Sequence, residues 1–116
     1  MNRTFTIIGG DLRIIKLAKI LAEENNTIYT YGLEKVEELK QKENIIFCEK
    51  ISEAIKESEI IIGPIPFSSD GINLNTPFSD KKISIRELMH IINAKILIAG
   101  TISPEVYDLA NDEYIE

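Results

Sequence analysis

Short apolar runs and amphipathic stretches alternate along this chain of 116 residues. Residues 4–8 are β-branched or aromatic and stop at Gly9 and Gly10, which is the pattern of a buried strand that ends in a turn. From Asp11 to about Glu24 the apolar residues follow a helical period instead, which predicts an amphipathic helix. The positions that carry its apolar face are Ile14, Leu17, Ala18 and Leu21.

The same alternation continues to the end of the chain. Further strands are predicted over residues 27–31, 45–48, 59–63 and 95–99, and further helices over residues 33–43, 52–57 and 85–92. A last helix is predicted to open at Ser103, because serine at the N-cap and proline at the first helical position form a specific start signal.

Five alternations of strand and helix predict a three-layer α/β/α domain. Nearly continuous apolar strands joined by helices favour a parallel sheet of about five strands that is covered on both faces. The length fits one domain and no more. A Rossmann-like and a flavodoxin-like strand order both stay open, because the apolar pattern does not distinguish them.

Composition narrows the classes of partner. Nineteen acidic against thirteen basic side chains give a formal charge of −6, so we expect neither nucleic acid nor an anionic membrane as a partner. Charges interrupt every apolar run, and the start contains no apolar signal segment, which predicts a cytoplasmic protein. One cysteine, Cys48, and one histidine, His90, provide neither an internal disulfide nor a metal site.

Ligands of an open parallel sheet bind beyond the carboxyl ends of its strands, where "GGDLR", "GPIPFSSD" and "GTISP" are predicted to lie. The first segment fails the dinucleotide fingerprint, because Asp11 and Ile14 stand where glycines are required. Asp11 would also bring a carboxylate close to a pyrophosphate. We therefore expect no dinucleotide at this segment.

Asp11 and Arg13 are the first candidate site residues. Asp11 suits the N-cap of the first helix, whereas the cation of Arg13 opposes the helix dipole there and needs an anion nearby. That anion is either Asp11 or another acid of the chain, or a ligand carboxylate held by the guanidinium. Local physics leaves both interpretations open.

The loop over residues 64–82 is long for a compact α/β domain, which favours a binding or lid role. Pro64 and Pro66 stiffen its start, so that Ser68 can present a hydroxyl near the sheet edge. Thr101 follows the fifth strand and is predicted to reach the same pocket. His90 is interpreted as a packed structural histidine, and no pair of nucleophile and base is recognised.

These segments together resemble a known family, the N-terminal domain of the A subunit of dipicolinate synthase. The similarity runs from about Thr4 to Ser103, and its most specific feature is the pairing of "GGD-x-R" with "P-x-P-x-S-x-DG". The other matching segments are "IYTYGLE", "TPFSDKKISI" and "ILIAGTIS".

The resemblance implies an oxidoreductase of spore-forming bacteria that oxidises a dihydrodipicolinate-type precursor from the lysine pathway to dipicolinate. It also implies a second, Rossmann-type domain for NAD(P) and a flavoprotein-like partner, the B subunit of the synthase. Because the 116 residues contain no dinucleotide fingerprint, the chain is expected to be the substrate-side domain, without a cofactor of its own and inactive alone. A small dicarboxylate is the implied substrate, with Asp11, Arg13, Ser68 and Thr101 as its contacts and with no catalytic residue assigned.

A second hypothesis is a free-standing binding or interaction module without catalysis. In that case the long loop meets a protein partner through Ile65, Phe67 and Phe78. Exposed apolar residues would also favour a homodimer of the isolated domain.

Overall fold

A five-stranded parallel sheet forms the centre of the computed structural model, which describes residues 3–100 and 102–116. The strands are β1 (Thr4–Ile8), β2 (Thr27–Tyr31), β3 (Ile45–Phe47), β4 (Ile60–Ile62) and β5 (Ile96–Ile98). Their order in the sheet is β3-β2-β1-β4-β5. Of the two orders that the sequence left open, the Rossmann-like one is therefore found.

Helices cover both faces, which confirms the three-layer α/β class. The α-helices are α1 (Leu12–Glu23), α2 (Ile51–Lys56), α3 (Ile85–Ile91) and α4 (Pro104–Asp112). Buried side chains of α1 form one core cluster with one face of the sheet, and those of α2, α3 and α4 form a second cluster with the other face. This division follows from right-handed crossovers, because the chain moves across the sheet in opposite directions before and after β3.

The helix predicted over residues 33–43 is wrong in type and length. Only Glu37–Gln41 is helical there, as a 3₁₀ helix, and Val36 before it is extended. The predicted apolar face is nevertheless buried, because Leu33, Val36 and Leu39 all belong to the core. Of the three, only Leu39 lies within the 3₁₀ helix, so burial at every third position occurs here without a continuous helix.

The sheet is not covered evenly, although cover on both faces was expected. Ile96 and Ile98 of β5 are 40% and 54% exposed. They lie on the same face of the sheet as α1, which covers that face over other strands. In the part of the chain that the structure describes, the crossovers that follow β3 lie on the opposite face, so no helix reaches this corner. Within residues 3–100 and 102–116, no helix is long and apolar enough to cross a membrane.

The N-caps predicted for the first and the last helix are confirmed. The Asp11 carboxylate accepts a hydrogen bond from the backbone N–H of Arg13 at the start of α1. Ser103 accepts one from the N–H of Val106, with Pro104 in the first turn of α4. These contacts satisfy donors that a helix leaves unpaired at its first turn.

A buried hydroxyl pair joins β1 to α2 and β4. Thr6, fully buried in β1, donates from Oγ1 to the carbonyl oxygen of Ala54 at 2.6 Å and lies 2.7 Å from Oγ of Ser58. Ser58 in turn donates to the carbonyl oxygen of Ile60. The network fixes α2 against the strand that leads into the candidate site.

Replacing Thr6 by valine keeps the side-chain shape but leaves the carbonyl of Ala54 without this donor. We expect the free energy of unfolding to fall by about 1–3 kcal/mol, because a buried polar group loses its partner. Denaturant unfolding measures the loss, with Thr4→Val at the exposed start of the same strand as the control. Equal stability of the two variants would show that the buried network contributes nothing measurable.

Candidate functional site

The strand order reverses between β1 and β4, and this reversal creates a crevice at the carboxyl edge of the sheet. The segment from Gly9 to Arg13 leaves β1 at this point, and the segment from Gly63 to Ser68 leaves β4 beside it. Two of the three predicted segments therefore border one crevice. It lies at the position where open α/β sheets bind ligands.

Arg13 spans this crevice. Its Nη2 lies 2.9 Å from Oδ2 of Asp11, and its Nε lies 3.2 and 3.3 Å from the two carboxylate oxygens. The same Nη2 donates to the carbonyl oxygen of Ile65 at 2.6 Å, which connects the loop after β1 to the loop after β4. The side chain of Arg13 is still 65% exposed, so its outer edge faces solvent.

Asp11 and Arg13 hold each other in the ionised state. The hydrogen bonds from the side chain and backbone of Arg13 lower the pKa of Asp11, and the carboxylate raises the pKa of Arg13. Asp11 thus satisfies the need for an anion in the first turn, which was one of the two interpretations of Arg13. The second interpretation stays a prediction. The bonds to Asp11 and Ile65 use the N–H groups of Nε and Nη2, and those of Nη1 can still donate to a ligand carboxylate.

The long loop folds back over the β1 and β2 half of the same edge. Asn75 accepts a backbone hydrogen bond from Gly10, and the methyl group of Thr76 lies against Gly9 and Gly32. A Cβ atom on Gly9 would lie 2.8 Å from both the Asn75 carbonyl oxygen and the Thr76 methyl group. The glycines after β1 and β2 therefore make room for the chain's own loop.

Three side-chain contacts hold the far end of the loop to the end of β2. Ser79 donates to Glu34 at 2.6 Å, Lys35 forms an ion pair with Asp80 at 2.6 Å, and Nζ of Lys81 lies 4.8 Å from the ring centre of Tyr31. Burial raises the pKa of Glu34, but the hydrogen bond from Ser79 and the charge of Lys81 outweigh it and lower the pKa. The β1 and β2 half of the edge is thereby occupied from within the chain.

Ser68 takes part in a turn of the loop. Its hydroxyl lies 2.5 Å from the carbonyl oxygen of Asn73 and accepts a hydrogen bond from the N–H of Gly71. Asp70 accepts from the backbone N–H groups of Asn73 and Ile72, which hold its pKa far below the usual range. Among the described residues the hydroxyl of Ser68 therefore bonds within its own loop and not to Asp11 or Arg13.

The other predicted contacts fall in different places. Thr101 lies outside the residues that the structure describes, so its role stays a prediction. Phe67 is 1% exposed and belongs to the core, because its ring packs against Gly63. It is therefore unsuited to the partner contact suggested for it. Ile65 is exposed, and Phe78 is half-buried against the α1 side of the sheet.

The interpretation of His90 as a packed residue is wrong. Its side chain is 81% exposed, and Nδ1 lies 2.8 Å from a carboxylate oxygen of Glu113, which also accepts from Asn93. A groove of about 550 Å³ between α3 and α4 runs beside this pair. Because Glu113 bonds to Ala94 just before β5, the groove lies near the amino end of that strand and away from the crevice.

No cluster of metal-ligating side chains occurs within residues 3–100 and 102–116.

Asn75 was not recognised from the sequence, although it contacts both segments that border the crevice. Its backbone N–H donates to Phe67, its side-chain amide donates to Pro66, and its carbonyl accepts from Gly10. The one signal in the sequence was the glycine pair after β1, which indicates a close approach of something to the backbone. It did not indicate which residue approaches.

The strand order and the crevice define a Rossmann-like α/β domain. The chain matches the family model of the N-terminal domain of the dipicolinate synthase A subunit over residues 4–116, and it belongs to that family. The resemblance found in the sequence is thereby confirmed.

Solved structures agree with this assignment at the level of the fold. The A chain of dipicolinate synthase from Bacillus subtilis is 18% identical with a TM-score of 0.80, and the match covers 100% of this chain and 39% of that one. The A subunit of dipicolinate synthase from Bacillus halodurans is 16% identical with a TM-score of 0.73, covering 98% and 39%. This chain thus spans about two-fifths of both proteins.

A more distant neighbour is an NAD-dependent formate dehydrogenase from Staphylococcus aureus in complex with NAD. It is 15% identical with a TM-score of 0.58, and the match covers 97% of this chain and 32% of that one. A comparison with curated protein sequences finds no match.

Replacing Gly9 by alanine tests the close approach of the loop. The residue has φ +68° and no room for a Cβ, so we expect a loss of at least about 2 kcal/mol in the free energy of unfolding. Gly71→Ala is the matched control, because Gly71 has φ +81° but no atom within 4 Å of an added Cβ. Urea unfolding of both variants separates steric overlap from backbone strain, and equal losses would contradict the packing described.

Proposed function

We propose that this chain is the substrate-side domain of a dipicolinate synthase and that Arg13 binds a carboxylate of the substrate. The observation that carries the proposal is the position of Arg13, which lies at the reversal of strand order with an exposed guanidinium. A dihydrodipicolinate-type substrate has two carboxylates, and the N–H groups of Nη1 can donate charge-assisted hydrogen bonds to one of them. Family membership supports the choice of this substrate over other anions.

The chain's own residues would bind and orient the substrate in this proposal. Asp11 and the carbonyl of Ile65 hold Nε and Nη2 of Arg13, so the remaining N–H donors point in a fixed direction. Such preorganisation lowers the entropy cost of binding a ligand. Ser68 and Thr101 are proposed as further hydroxyl contacts, and Ser68 would exchange a hydrogen bond of the loop for one to the ligand.

Oxidation of the precursor to the aromatic diacid requires a hydride acceptor, which we assign to NAD(P) in a second domain. Two observations support this division. The family's solved members are longer than this chain, and an NAD-dependent enzyme is among the structures with a similar fold. The loop contacts Gly9 and Gly10, in the first βα turn, which is where a Rossmann domain holds the pyrophosphate of a dinucleotide. We therefore expect no cofactor to bind this domain.

The proposal extends to the cellular role that the resemblance implies. The enzyme would act in the cytoplasm during sporulation, use a precursor from the lysine pathway and work with the B subunit of the synthase. No catalytic acid or base is assigned among the described residues. Those groups would come from the second domain or from the substrate cleft between the two domains.

Calorimetric titration with dipicolinate tests the carboxylate site. We expect saturable binding by the unaltered protein and a loss of at least about tenfold in affinity for Arg13→Ala, because a charge-assisted hydrogen bond is removed. Arg86→Ala is the control, since it removes the same charge from an exposed position on α3.

Equal affinities of the two arginine variants would contradict the role of Arg13. Absence of binding by the unaltered protein would contradict a substrate site that is complete within this domain. Either the site would then require the second domain or the interaction-module hypothesis would be the better one, and titration of a protein that contains both domains separates these two outcomes. The support for the interaction-module hypothesis is the exposed apolar side chains of Ile65, Ile96 and Ile98.

A further inference from the structure

Asn75 forms hydrogen bonds to both segments that border the crevice. Its side-chain Nδ2 donates to the carbonyl oxygen of Pro66 at 3.1 Å, and its backbone N–H donates to the carbonyl oxygen of Phe67 at 2.9 Å. Its own carbonyl oxygen accepts from the N–H of Gly10 at 3.3 Å. The segment after β4 and the segment after β1 are thus joined through one residue.

Both connected segments lead directly to the guanidinium of Arg13. Pro66 follows Ile65, whose carbonyl accepts from Nη2, and Gly10 precedes Asp11, whose carboxylate accepts from Nε and Nη2. Arg13 is oriented by the Ile65 carbonyl and the Asp11 carboxylate. These two residues are adjacent in sequence to Pro66 and Gly10, to which Asn75 bonds. If the hydrogen bond to Pro66 is lost, the residue that follows Ile65 loses a side-chain contact that fixes its carbonyl group.

Neighbouring residues of the loop do not share this arrangement. The side-chain amide of Asn73 donates to Asp70 at 3.1 Å, within the same turn and away from Pro66. The hydroxyl of Thr76 donates to the carbonyl of Lys81. Asn73 and Asn75 are thus two amides of one loop, only one of which contacts a segment that borders the crevice.

We propose that the side chain of Asn75 is a positioning residue for substrate binding, because it holds the Ile65 carbonyl at the distance that orients Arg13. The inference rests on the proposed function for its substrate, but the orientation of Arg13 can be measured without any ligand. Asn75 acts through Ile65 and Arg13 and makes no contact with substrate itself. Its contribution is to reduce the freedom that the guanidinium loses on binding.

The test replaces Asn75 by alanine, and by leucine, which has about the same size but no donor. The backbone bonds to Phe67 and Gly10 remain in both variants, so we expect the fold to be retained. The matched control is Asn73→Ala, which removes an amide from the same loop. Thermal unfolding of all three variants shows whether a change at the site is separate from a loss of stability.

Nitrogen NMR of the arginine side chains is the first measurement. The sequence has three arginines, Arg3, Arg13 and Arg86, so Arg13→Lys identifies the Arg13 signal. We expect both Asn75 variants to shift this signal and to speed rotation of the guanidinium, and Asn73→Ala to leave it unchanged. An Arg13 signal that is the same in the Asn75 and Asn73 variants would overturn the proposal, whether or not dipicolinate binds.

Affinity for dipicolinate is the second measurement. We expect Asn75→Ala to weaken binding by about fivefold, as for the loss of one ordinary hydrogen bond, and to have no further effect when Arg13 is already alanine. An equal loss in the presence and absence of Arg13 would show that Asn75 does not act through it and would also overturn the proposal. If Arg13→Ala binds as the unaltered protein does, the proposed function fails, and the NMR signal alone decides the role of Asn75.

Discussion

The close approach of Asn75 and Thr76 to Gly9 is the contact on which the architecture of the site depends. Only 2.8 Å separates the position of a Cβ on Gly9 from the carbonyl oxygen of Asn75 and from the methyl group of Thr76. Glycine allows the loop to lie directly on the end of β1, because it combines a positive φ with the absence of a side chain. From that point the loop reaches both segments that border the crevice.

This contact makes the two halves of the sheet edge different. The β1 and β2 half is covered by the loop, which the hydrogen bond from Ser79 to Glu34 holds to the end of β2. The half toward β4 keeps Arg13 exposed, supported by Asp11 and the carbonyl of Ile65. Under the proposed function, the half toward β4 presents the guanidinium of Arg13 to the substrate, while the loop covers the ends of β1 and β2.

Local sequence signals predicted most of the elements and two of the segments that border the candidate site, because such signals act over a few residues. Asp11 as a helix cap, its ion pair with Arg13 and the start at Ser103 all follow from neighbours within three positions. The helix predicted over residues 33–43 was wrong because buried residues at every third position do not require a continuous helix: Leu33 and Val36 are buried before the 3₁₀ helix begins.

Contacts between residues distant in sequence could not be predicted, because the same signals act only over a few residues. The bond between His90 and Glu113 spans 23 positions, and the one between Arg13 and Ile65 spans 52. The strand order and the return of the loop to Gly9 depend equally on packing of the whole chain. The glycine pair after β1 indicates that some part of the chain approaches the backbone closely, but it does not identify that part.

The most direct test of a carboxylate site at the carboxyl edge of the sheet is an NMR titration of the ¹⁵N-labelled protein with dipicolinate. Such a site predicts shifts concentrated in the segments from Gly9 to Arg13 and from Gly63 to Ser68, with the Arg13 side chain among the strongest. Shifts confined to the groove beside His90 and Glu113, or no shift at saturating ligand, would contradict it.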